Sequence, residues 1–371
     1  MNRSSNIINL HITKNAQHIA LHALRACVTN DGIIAGVHHF VDLWARDSLF
    51  ATFGSDTLSA KNTIETFLRF QREDGLIPYR IMRSKTSIAK YFGKPTLLAR
   101  LVPNFRSHQS GGLVLDGGLI NIIAAYEYAK RSGDKQFYQS HLIQFDRAMQ
   151  WYERRFPDRL LSEWFQCEWA DGVLKAGQTL YTNVLYWKAL GDMENYTRQR
   201  FVGNLLRERL WNGKFFADWV DYKRQDYFSS HANMLAIVFG FASMSESKSI
   251  LDVTKRYCLR EWTLETNYPA YPFWRIPLMQ YISGLTDYHN RGCLWLQPGI
   301  TYSLALYKCG HKKEARKFFS KIAQQIERHN GVYEVYEKDG TPVNRPLYRS
   351  EDPFAWSSGL FLWASHILGK L

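Results

Sequence analysis

Pairs of amphipathic segments joined by short polar turns restrict the possible folds of this chain more than any other feature. Apolar residues recur at helical spacing in a series of segments: 15–29, 57–71, 119–131, 135–155, 178–190, 195–210, 230–240, 246–258, 294–308, 312–328 and 354–368. Short turns such as Ser132-Gly133-Asp134 and Gly191-Asp192 separate consecutive segments. Because a short connection leaves two helices side by side and antiparallel, each pair of segments predicts a helical hairpin.

The number of hairpins and the position of their loops indicate a closed architecture. We predict about twelve helices from this periodicity, with few strand signals. Loops that combine carboxylates with aromatic residues recur at one end of the pairs. The pattern predicts an all-α fold, an (α/α)6 toroid of helical hairpins with a central pocket, in which residues 1–371 form a single domain. A superhelical repeat array, which would show a sharper period, and an irregular helical bundle are the alternatives.

The stretch from about residue 76 to residue 112 interrupts the helical pattern. It contains Pro78, Pro95 and Pro103, several glycines and many basic residues. A loop of this length inside a compact domain usually has a function. We interpret it as a long irregular loop at the rim of the pocket, with a disordered segment as the alternative.

Charge and composition exclude several classes of protein. The net charge of +13 comes from basic residues that are spread along the chain, and no nucleic-acid-binding signature occurs, so nucleic acid is not an expected partner. No run of about 18 apolar residues occurs and the N-terminus has no apolar leader, so neither a membrane span nor secretion is expected. Five scattered cysteines without metal-ligand spacing favour free thiols and a cytoplasmic location. The sequence leaves the oligomeric state open.

The aromatic content points to a carbohydrate ligand. Twelve tryptophans and an aromatic fraction of 15% exceed what packing alone usually needs. Sugars present flat C–H faces that stack on such rings, while their hydroxyl groups need polar partners at the ring edge. For any single tryptophan, core packing remains the alternative.

Two carboxylates in aromatic loops are candidate catalytic residues. Asp171 follows Trp169 by two positions, and Glu334 lies in a Val-Tyr-Glu-Val-Tyr segment. Desolvation among apolar residues would raise the pKa of Asp171 and keep it protonated, as a general acid requires. Glu334 could be the base that activates a water molecule, with Glu351 in reserve. The alternatives are a turn-forming Asp-Gly pair for Asp171 and a surface position for Glu334.

Further residues are candidates for binding the substrate. Trp44, Arg46 and Asp47 offer a ring face, a cation and a carboxylate within one turn, although Asp47 could instead cap a short helix. The other candidates are Trp169, His289, Asn290, Trp295 and Glu351. Motifs for a nucleophilic serine, a phosphate-binding loop and a zinc protease are absent from the sequence.

Four segments resemble the inverting (α/α)6-barrel glycosidases, most closely the amylo-α-1,6-glucosidase (glycogen-debranching) domain and its glucoamylase-like and invertase-like relatives. Trp44-Ala-Arg-Asp47 is similar to the family segment that binds the glucose at the cleavage site. Glu168-Trp-Ala-Asp171 is similar to the debranching segment that carries the general acid; glucoamylases place a Glu where this chain has Ala170. The segment around Glu334 is similar to the glucoamylase segment with the catalytic base, and Tyr288–Trp295 resembles a sugar-pocket loop of the invertase-like branch.

This resemblance implies an inverting hydrolase of an α-glucosidic bond, with Asp171 as acid, Glu334 as base and no metal or organic cofactor. The debranching proteins carry a β-rich or transferase domain in front of the barrel, which this sequence lacks, so an oligosaccharide or a glucoside is the expected substrate. A sugar phosphorylase, an isomerase that uses His289, and a non-catalytic carbohydrate-binding protein are the alternatives.

Overall fold

The computed structural model of the protein describes residues 2–85 and 94–369, and it describes side chains from residue 14 onward. Within these ranges the chain forms fourteen α-helices: α1 (Asn2–Ala26), α2 (Ala45–Ala51), α3 (Thr57–Arg69), α4 (Asp116–Ser132), α5 (Lys135–Ser140), α6 (Leu142–Arg155), α7 (Leu180–Asp192), α8 (Tyr196–Leu210), α9 (Ser230–Val238), α10 (Met244–Tyr257), α11 (Leu278–Ile282), α12 (Leu296–Lys308), α13 (Lys312–His329) and α14 (Ala355–Gly369). None of the described helices is long and apolar enough to cross a membrane.

Local sequence signals set several helix ends. The side chains of Asp56, Asp134 and Asn195 accept hydrogen bonds from backbone N–H groups in the first turns of α3, α5 and α8. Ser243 forms a reciprocal capping box with Glu246 at the start of α10. These caps satisfy N–H groups that no helical carbonyl can reach. Helices α3 and α5 begin at the predicted residues 57 and 135, whereas α10 begins two residues earlier than predicted and the predicted segment 135–155 is divided between α5 and α6.

Six helices contact one another in a closed cycle. Helix α2 packs against α4, α4 against α7, α7 against α9, α9 against α12, α12 against α14, and α14 again against α2. These helices are buried on most of their surface; in α12 every residue from Leu296 to Leu306 is buried. Helices α1, α3, α6, α8, α10 and α13 pack outside this cycle, each against at least one of its members. Apolar residues on all sides therefore mark the inner helices, and a single apolar stripe marks outer ones such as α13.

Glycines let helices α2 and α14 close the cycle. A Cβ atom at Gly359 would lie 2.4 Å from the backbone of Ala51, and one at Gly54 would lie 2.1 Å from the carbonyl oxygen of Gly359. Such distances are too short for any side chain. The close approach of α2 and α14 thus depends on these two positions.

Small antiparallel sheets correct the prediction of an all-α chain. Thirteen strands lie in the described ranges: β1 (Val28–Thr29), β2 (Gly32–Ile33), β3 (Leu43–Trp44), β4 (Arg80–Ser84), β5 (Leu97–Asn104), β6 (Gln178–Thr179), β7 (Ala217–Val220), β8 (Arg224–Ser229), β9 (Asn267–Tyr268), β10 (Leu294–Trp295), β11 (Val335–Tyr336), β12 (Asn344–Arg345) and β13 (Tyr348–Arg349). They form sheets β3-β4-β5 and β6-β7-β8-β9 and the pairs β1-β2, β10-β11 and β12-β13. Most span two residues, which is too short for an alternating pattern to be recognised.

The stretch from 76 to 112 also differs from the irregular loop that the sequence predicts. Strands β4 and β5 pair within it and extend β3, with Leu43 opposite Ile81 and Trp44 opposite Arg80. Strand β5 lies at the edge of its sheet, where Pro103 can occur without removing an interior hydrogen bond. The prolines that indicated a loop are therefore compatible with a strand. Part of the predicted loop, 86–93, lies outside the described residues.

Candidate active site

The first turns of five inner helices converge around Arg46. The Nε of Arg46 donates to an oxygen of Asp116, the first residue of α4, at 2.8 Å. The guanidinium lies 5.9 Å from the ring of Tyr181 in α7. That ring is 6.1 Å from His231 in α9, and His231 is 5.6 Å from Trp356 in α14. Helix N-termini carry partial positive charge, so this end of the cycle favours carboxylates and hydroxyl groups.

His231 is an uncharged imidazole at this convergence. Its side chain is fully buried, and burial, together with the charge of Arg46, lowers the pKa of His231 to about 3. The ring of Trp169 lies 5.1 Å away. His231 is therefore a neutral histidine packed among rings, next to Trp169 in the loop described next.

Asp171 lies in the loop between α6 and β6, two residues after Trp169. Its Oδ2 accepts a hydrogen bond from Nε2 of Gln109 at 3.2 Å, and its Oδ1 lies 3.8 Å from Nδ1 of His289. Gln166 donates to the backbone carbonyl of Asp171 and also to the side-chain oxygen of Gln109. About a third of the Asp171 side chain (33%) remains open to solvent, so a ligand can reach it.

The surroundings of Asp171 favour its protonated form. Desolvation raises the pKa of Asp171 to about 7, with the charge of Arg46 acting against it and the charges of Glu168 and Glu334 adding to it. Glu168 is itself buried and forms an ion pair with Lys175 at 2.5 Å. A carboxyl with a pKa near neutrality can donate a proton at neutral pH.

Lys175 anchors the loop that carries Asp171. Its ammonium group is buried between Glu168 and Asp218, at 3.0–3.1 Å from the two oxygens of Asp218. Tyr271 donates a further hydrogen bond to Asp218 at 2.6 Å. A buried charge is tolerated only when it is paired in this way, so the network fixes the loop on both sides of Asp171.

Glu334 is a buried carboxylate held by two tyrosines. The hydroxyl of Tyr288 donates to its Oε1 at 2.5 Å, and the hydroxyl of Tyr348 donates to its Oε2. Only 3% of Glu334 is exposed. Burial raises the pKa of Glu334, while the charge of His39 and the two tyrosine hydroxyls favour the ionised form. Glu334 directly precedes β11, whose Val335 pairs with Trp295, and this pairing fixes its position.

Glu334 lies close enough to Asp171 and to Asp47 to shift the pKa of both aspartates. The charge of Glu334 raises the pKa of both aspartates, and burial raises the pKa of Asp47 to about 7 as well. Arg46 opposes both shifts. The structure therefore brings together residues that are 124, 163 and 287 positions apart in the sequence (171−47, 334−171 and 334−47).

Glu351 lies beside Glu334 but its oxygens are already engaged. It accepts hydrogen bonds from the backbone N–H groups of His38 at 2.6 Å and His39 at 3.0 Å, and Nδ1 of His39 lies 2.8 Å from Oε2. The side chain is fully buried, and these partners lower the pKa of Glu351 despite its burial. Gly36 is required here, because a Cβ atom would lie 2.3 Å from Cγ of Glu351. This geometry describes a carboxylate that holds the 36–40 loop.

Replacement of Glu351 by Gln is expected to lower the free energy of unfolding by about 2–3 kcal/mol, because an amide NH₂ would face backbone donors. The pKa of Glu351 is lowered in the folded protein, so its contribution is present above the unfolded value near 4.5 and is lost as the pH falls through the folded value. Urea unfolding at pH 7 and pH 3.5 measures the loss of stability in Glu351→Gln and its dependence on pH. Glu208→Gln, at an exposed glutamate, is the control. Equal stability of Glu351→Gln and wild type at pH 7 would contradict this assignment.

The other predicted binding residues occupy different positions. Trp44 lies at the start of α2, with its ring 5.7 Å from His108 and 4.3 Å from the guanidinium of Arg80. Trp295 stacks on His289 at 4.9 Å, next to the ring of Trp169. Trp44 therefore lies against Arg80 and His108, whereas Trp169, in the loop of Asp171, lies against His289 and Trp295.

His289 and Asn290 differ in what they can offer a ligand. The Nδ1 of His289 accepts a hydrogen bond from the backbone N–H of Gly172 at 3.1 Å, and burial lowers its pKa well below the usual value, so its proton lies on Nε2. The amide group of Asn290 bonds to the backbone N–H and carbonyl of Tyr271. His289 therefore adjoins the acid loop, and Asn290 positions the chain around Tyr271.

Other features of the described residues lie outside this site. Asp287, Cys293 and Glu337 offer ligand atoms within 4.8 Å of one another, but Arg345 forms ion pairs with both carboxylates and supplies the positive charge there. Two surface clefts have volumes of about 350 and 300 Å³; Trp262 lines the first and Glu163 the second, and neither Asp171 nor Glu334 lines either of them. The carboxylates and their surroundings, rather than the volume of a cleft, therefore identify the candidate site.

Several residues of the site were not among the sequence candidates: Asp116, Tyr181, His231, Tyr288 and Tyr348. Tyr288 lies inside the segment that resembles a sugar-pocket loop, so this resemblance could have identified Tyr288 from the sequence. Asp116 opens a strongly apolar helix, where a carboxylate needs a cationic partner. The remaining three carry no local signal, because each reaches the site through tertiary packing.

The fold is shared with known glycoside hydrolases. Comparison of the sequence with protein-family models and with curated proteins finds no match. A GH63 mannosylglycerate hydrolase from Thermus thermophilus is similar in structure, with a TM-score of 0.68 and 13% identity over 94% of this chain and 99% of that one. A glycosidase variant in complex with glucose has a TM-score of 0.68 and 14% identity over 97% and 98% of the two chains. A rhamnosidase from Klebsiella oxytoca has a TM-score of 0.69 and 12% identity, and the similar region covers 96% of this chain and 64% of that protein.

Proposed function

We propose that this protein is an inverting glycoside hydrolase that cleaves an α-glucosidic bond in an oligosaccharide or a glucoside. The observation that carries the proposal is the pair of carboxyls with different surroundings. Burial raises the pKa of Asp171 to about 7. Burial also raises the pKa of Glu334, but the hydroxyls of Tyr288 and Tyr348 donate to this carboxylate and favour its ionised form. Such a pair supplies an acid and a base at the same pH. The fold shared with glycosidases, one of them in complex with glucose, supports the same conclusion.

The chemistry follows from these two groups. Asp171 donates its proton to the glycosidic oxygen, the bond between that oxygen and the anomeric carbon breaks, and the leaving group departs as an alcohol. Glu334 accepts a proton from a water molecule whose oxygen attacks the anomeric carbon from the opposite face. Asp171 ends ionised and Glu334 ends protonated, and exchange with solvent restores both. The product is β-glucose.

The remaining residues would hold the sugar in place. Arg46 and Asp47 are partly exposed beside Asp171 and offer a donor and an acceptor for hydroxyl groups. Trp44 and Trp169 offer ring faces or edges. We also infer that the cycle of six inner helices with its outer partners is an (α/α)6 toroid, that residues 1–371 form a single domain, and that the protein is cytoplasmic. Five free cysteines support the last point.

The test is proton NMR of the purified protein with maltose, isomaltose, panose, trehalose, sucrose and a limit dextrin. Release of β-glucose as the first product from any α-glucoside would support an inverting hydrolase. Release of α-glucose would exclude inversion, and turnover that requires inorganic phosphate would indicate a phosphorylase. Sugar binding without any turnover would favour a carbohydrate-binding protein.

The rate is expected to fall on the alkaline side as the pH passes about 7. The general acid must carry its proton, and the pKa of Asp171 is raised to about 7. Because the pKa of Asp47 is also about 7, Asp47→Asn is the informative comparison. We expect kcat/KM of Asp47→Asn to keep the alkaline limb; loss of that limb would assign it to Asp47.

Removal of the Tyr348 hydroxyl is expected to move the acidic limb of kcat/KM to higher pH. The hydroxyl favours ionised Glu334, so Tyr348→Phe raises the pKa of the base and reduces the rate about 10-fold at pH 5, with a smaller effect at pH 7. Tyr222→Phe, at a side chain that is 83% exposed, is the matched control. An unchanged acidic limb in Tyr348→Phe would contradict the role of Glu334 as base.

A further inference from the structure

A segment rich in exposed apolar side chains lies beside the acid loop. We call Phe273–Ile282 the apolar rim segment; it contains a 3₁₀ turn (Phe273–Arg275) and α11. Six of its large apolar side chains are exposed: Phe273 by 73%, Trp274 by 64%, Leu278 by 73%, Met279 by 67%, Tyr281 by 46% and Ile282 by 57%. Single exposed apolar residues are common, but a continuous group of six usually marks a binding surface.

The apolar rim segment is anchored rather than loose. Ile276 is only 6% exposed and packs with Val173 and Trp219. Leu285, just after the segment, is also 6% exposed and belongs to the cluster around Trp295. Because Ile276 within the segment and Leu285 just after it are buried, the segment is held against the body of the protein while the six apolar side chains stay exposed.

The apolar rim segment contacts the loop that carries Asp171. The backbone N–H of Leu174 donates to the carbonyl of Arg275 at 2.6 Å, and Arg275 returns a hydrogen bond to the carbonyl of Leu174 at 3.0 Å. A Cβ atom at Gly172 would lie 3.4 Å from the amide nitrogen of Gln280. The segment therefore packs directly against the residues that follow Asp171.

The side of the general acid is also the side of the leaving group. A group that protonates the glycosidic oxygen must lie next to it, so whatever is attached to that oxygen extends past Asp171. The charges in this region do not favour an anionic group there, since Arg275 is already paired with Asp221 at 3.5 Å. Apolar surface at that position would instead lower the free energy of a bound apolar group.

We propose that the apolar rim segment binds the leaving group of the substrate, and that the preferred substrates are glycosides whose leaving group presents a large apolar surface, such as an alkyl chain or an aromatic ring. This inference rests on the proposed glycosidase activity and specifies its substrate class. It predicts that substrates with a small polar leaving group are turned over less efficiently.

The experiment compares kcat/KM for methyl and octyl α-glucosides. Wild type is expected to prefer the octyl glucoside at least about 10-fold, mainly through KM, since each buried methylene adds to binding. In the double variant Phe273→Ser/Leu278→Ser the ratio is expected to fall toward one. Both residues are 73% exposed, so the substitutions remove no buried contact. The control is Leu58→Ser/Ile143→Ser, at positions 67% and 75% exposed on α3 and α6, which should keep the wild-type ratio.

The outcomes separate this inference from the proposed activity. Turnover with a wild-type ratio near one, or a ratio unchanged in the rim variant, would overturn the inference and leave the hydrolase intact. Absence of turnover with every glycoside would overturn the hydrolase itself. Two further measurements test other occupants of the segment. A dimer seen by light scattering that is lost in the rim variant would assign the segment to a second copy of the chain. Sedimentation with lipid vesicles that is lost in the rim variant would assign it to a membrane surface.

Discussion

Replacement of Asp171 by Asn is expected to reduce kcat/KM for an unactivated α-glucoside by about 10³-fold, an effect matched among single substitutions only by that at Glu334. Asn keeps the volume of the side chain and can still interact with Gln109, but it has no proton to donate. The fold should be retained, because a third of this side chain is exposed to solvent. Initial rates by NMR or coupled glucose detection measure the loss.

The leaving group distinguishes loss of an acid from general damage to the site. Fluoride departs from α-glucosyl fluoride with little need for protonation, so Asp171→Asn should lose far less activity on this substrate than on maltose. Similar losses on both substrates would contradict the role of Asp171 as general acid. If Asp47→Asn shows this selective pattern instead, the acid is Asp47.

Replacement of Glu334 by Gln is expected to reduce kcat/KM by about 10³-fold with both kinds of substrate. Water must lose a proton as it attacks in either case, so a good leaving group cannot compensate for the missing base. In wild type the hydroxyls of Tyr288 and Tyr348 donate to the Glu334 carboxylate. In Glu334→Gln the same hydroxyls would face a buried amide. Thermal unfolding should therefore be measured beside activity.

A comparison with Tyr348→Phe tests the Glu334 prediction further. Tyr348→Phe removes one of the same hydrogen bonds but keeps the carboxylate, so it separates loss of the base from disturbance of its surroundings. Folded Glu334→Gln protein with near-normal turnover would exclude Glu334 as base and would turn attention to Glu351 or to an external nucleophile such as phosphate.

Helical periodicity was the part of the fold that the sequence could reveal. The apolar residues at helical spacing that place 119–131 and 195–210 in helices correspond to α4 and α8 in the structure. Strands such as β10 and β11 could not be recognised, because a two-residue strand has no period. Their pairing nevertheless fixes Trp295 beside Val335 and so positions Glu334.

Residues of the candidate site could be predicted from the sequence only where several of them lie close together in the chain. Trp44, Arg46 and Asp47 form one turn, and Trp169 and Asp171 form one loop, so their types could be interpreted together. The partner of Arg46 is 70 residues away, at Asp116, and the two tyrosines on Glu334 are 46 and 14 residues away. Glu351 shows the limit of such reasoning, because its hydrogen bonds to the 36–40 loop span more than 300 residues.

The closed cycle of inner helices has a consequence for protein synthesis. Helix α14 completes the cycle by packing between α12 and α2, and it also contacts α1. Until residues 355–369 have left the ribosome, α2 lacks one of its two neighbours in the cycle of inner helices, and the convergence around Arg46 lacks Trp356. A nascent chain therefore cannot assemble the site progressively. The long-range contacts between α2 and α14 form only after residues 355–369 have emerged, and their large sequence separation favours slow folding and a dependence on chaperones while apolar helices are exposed.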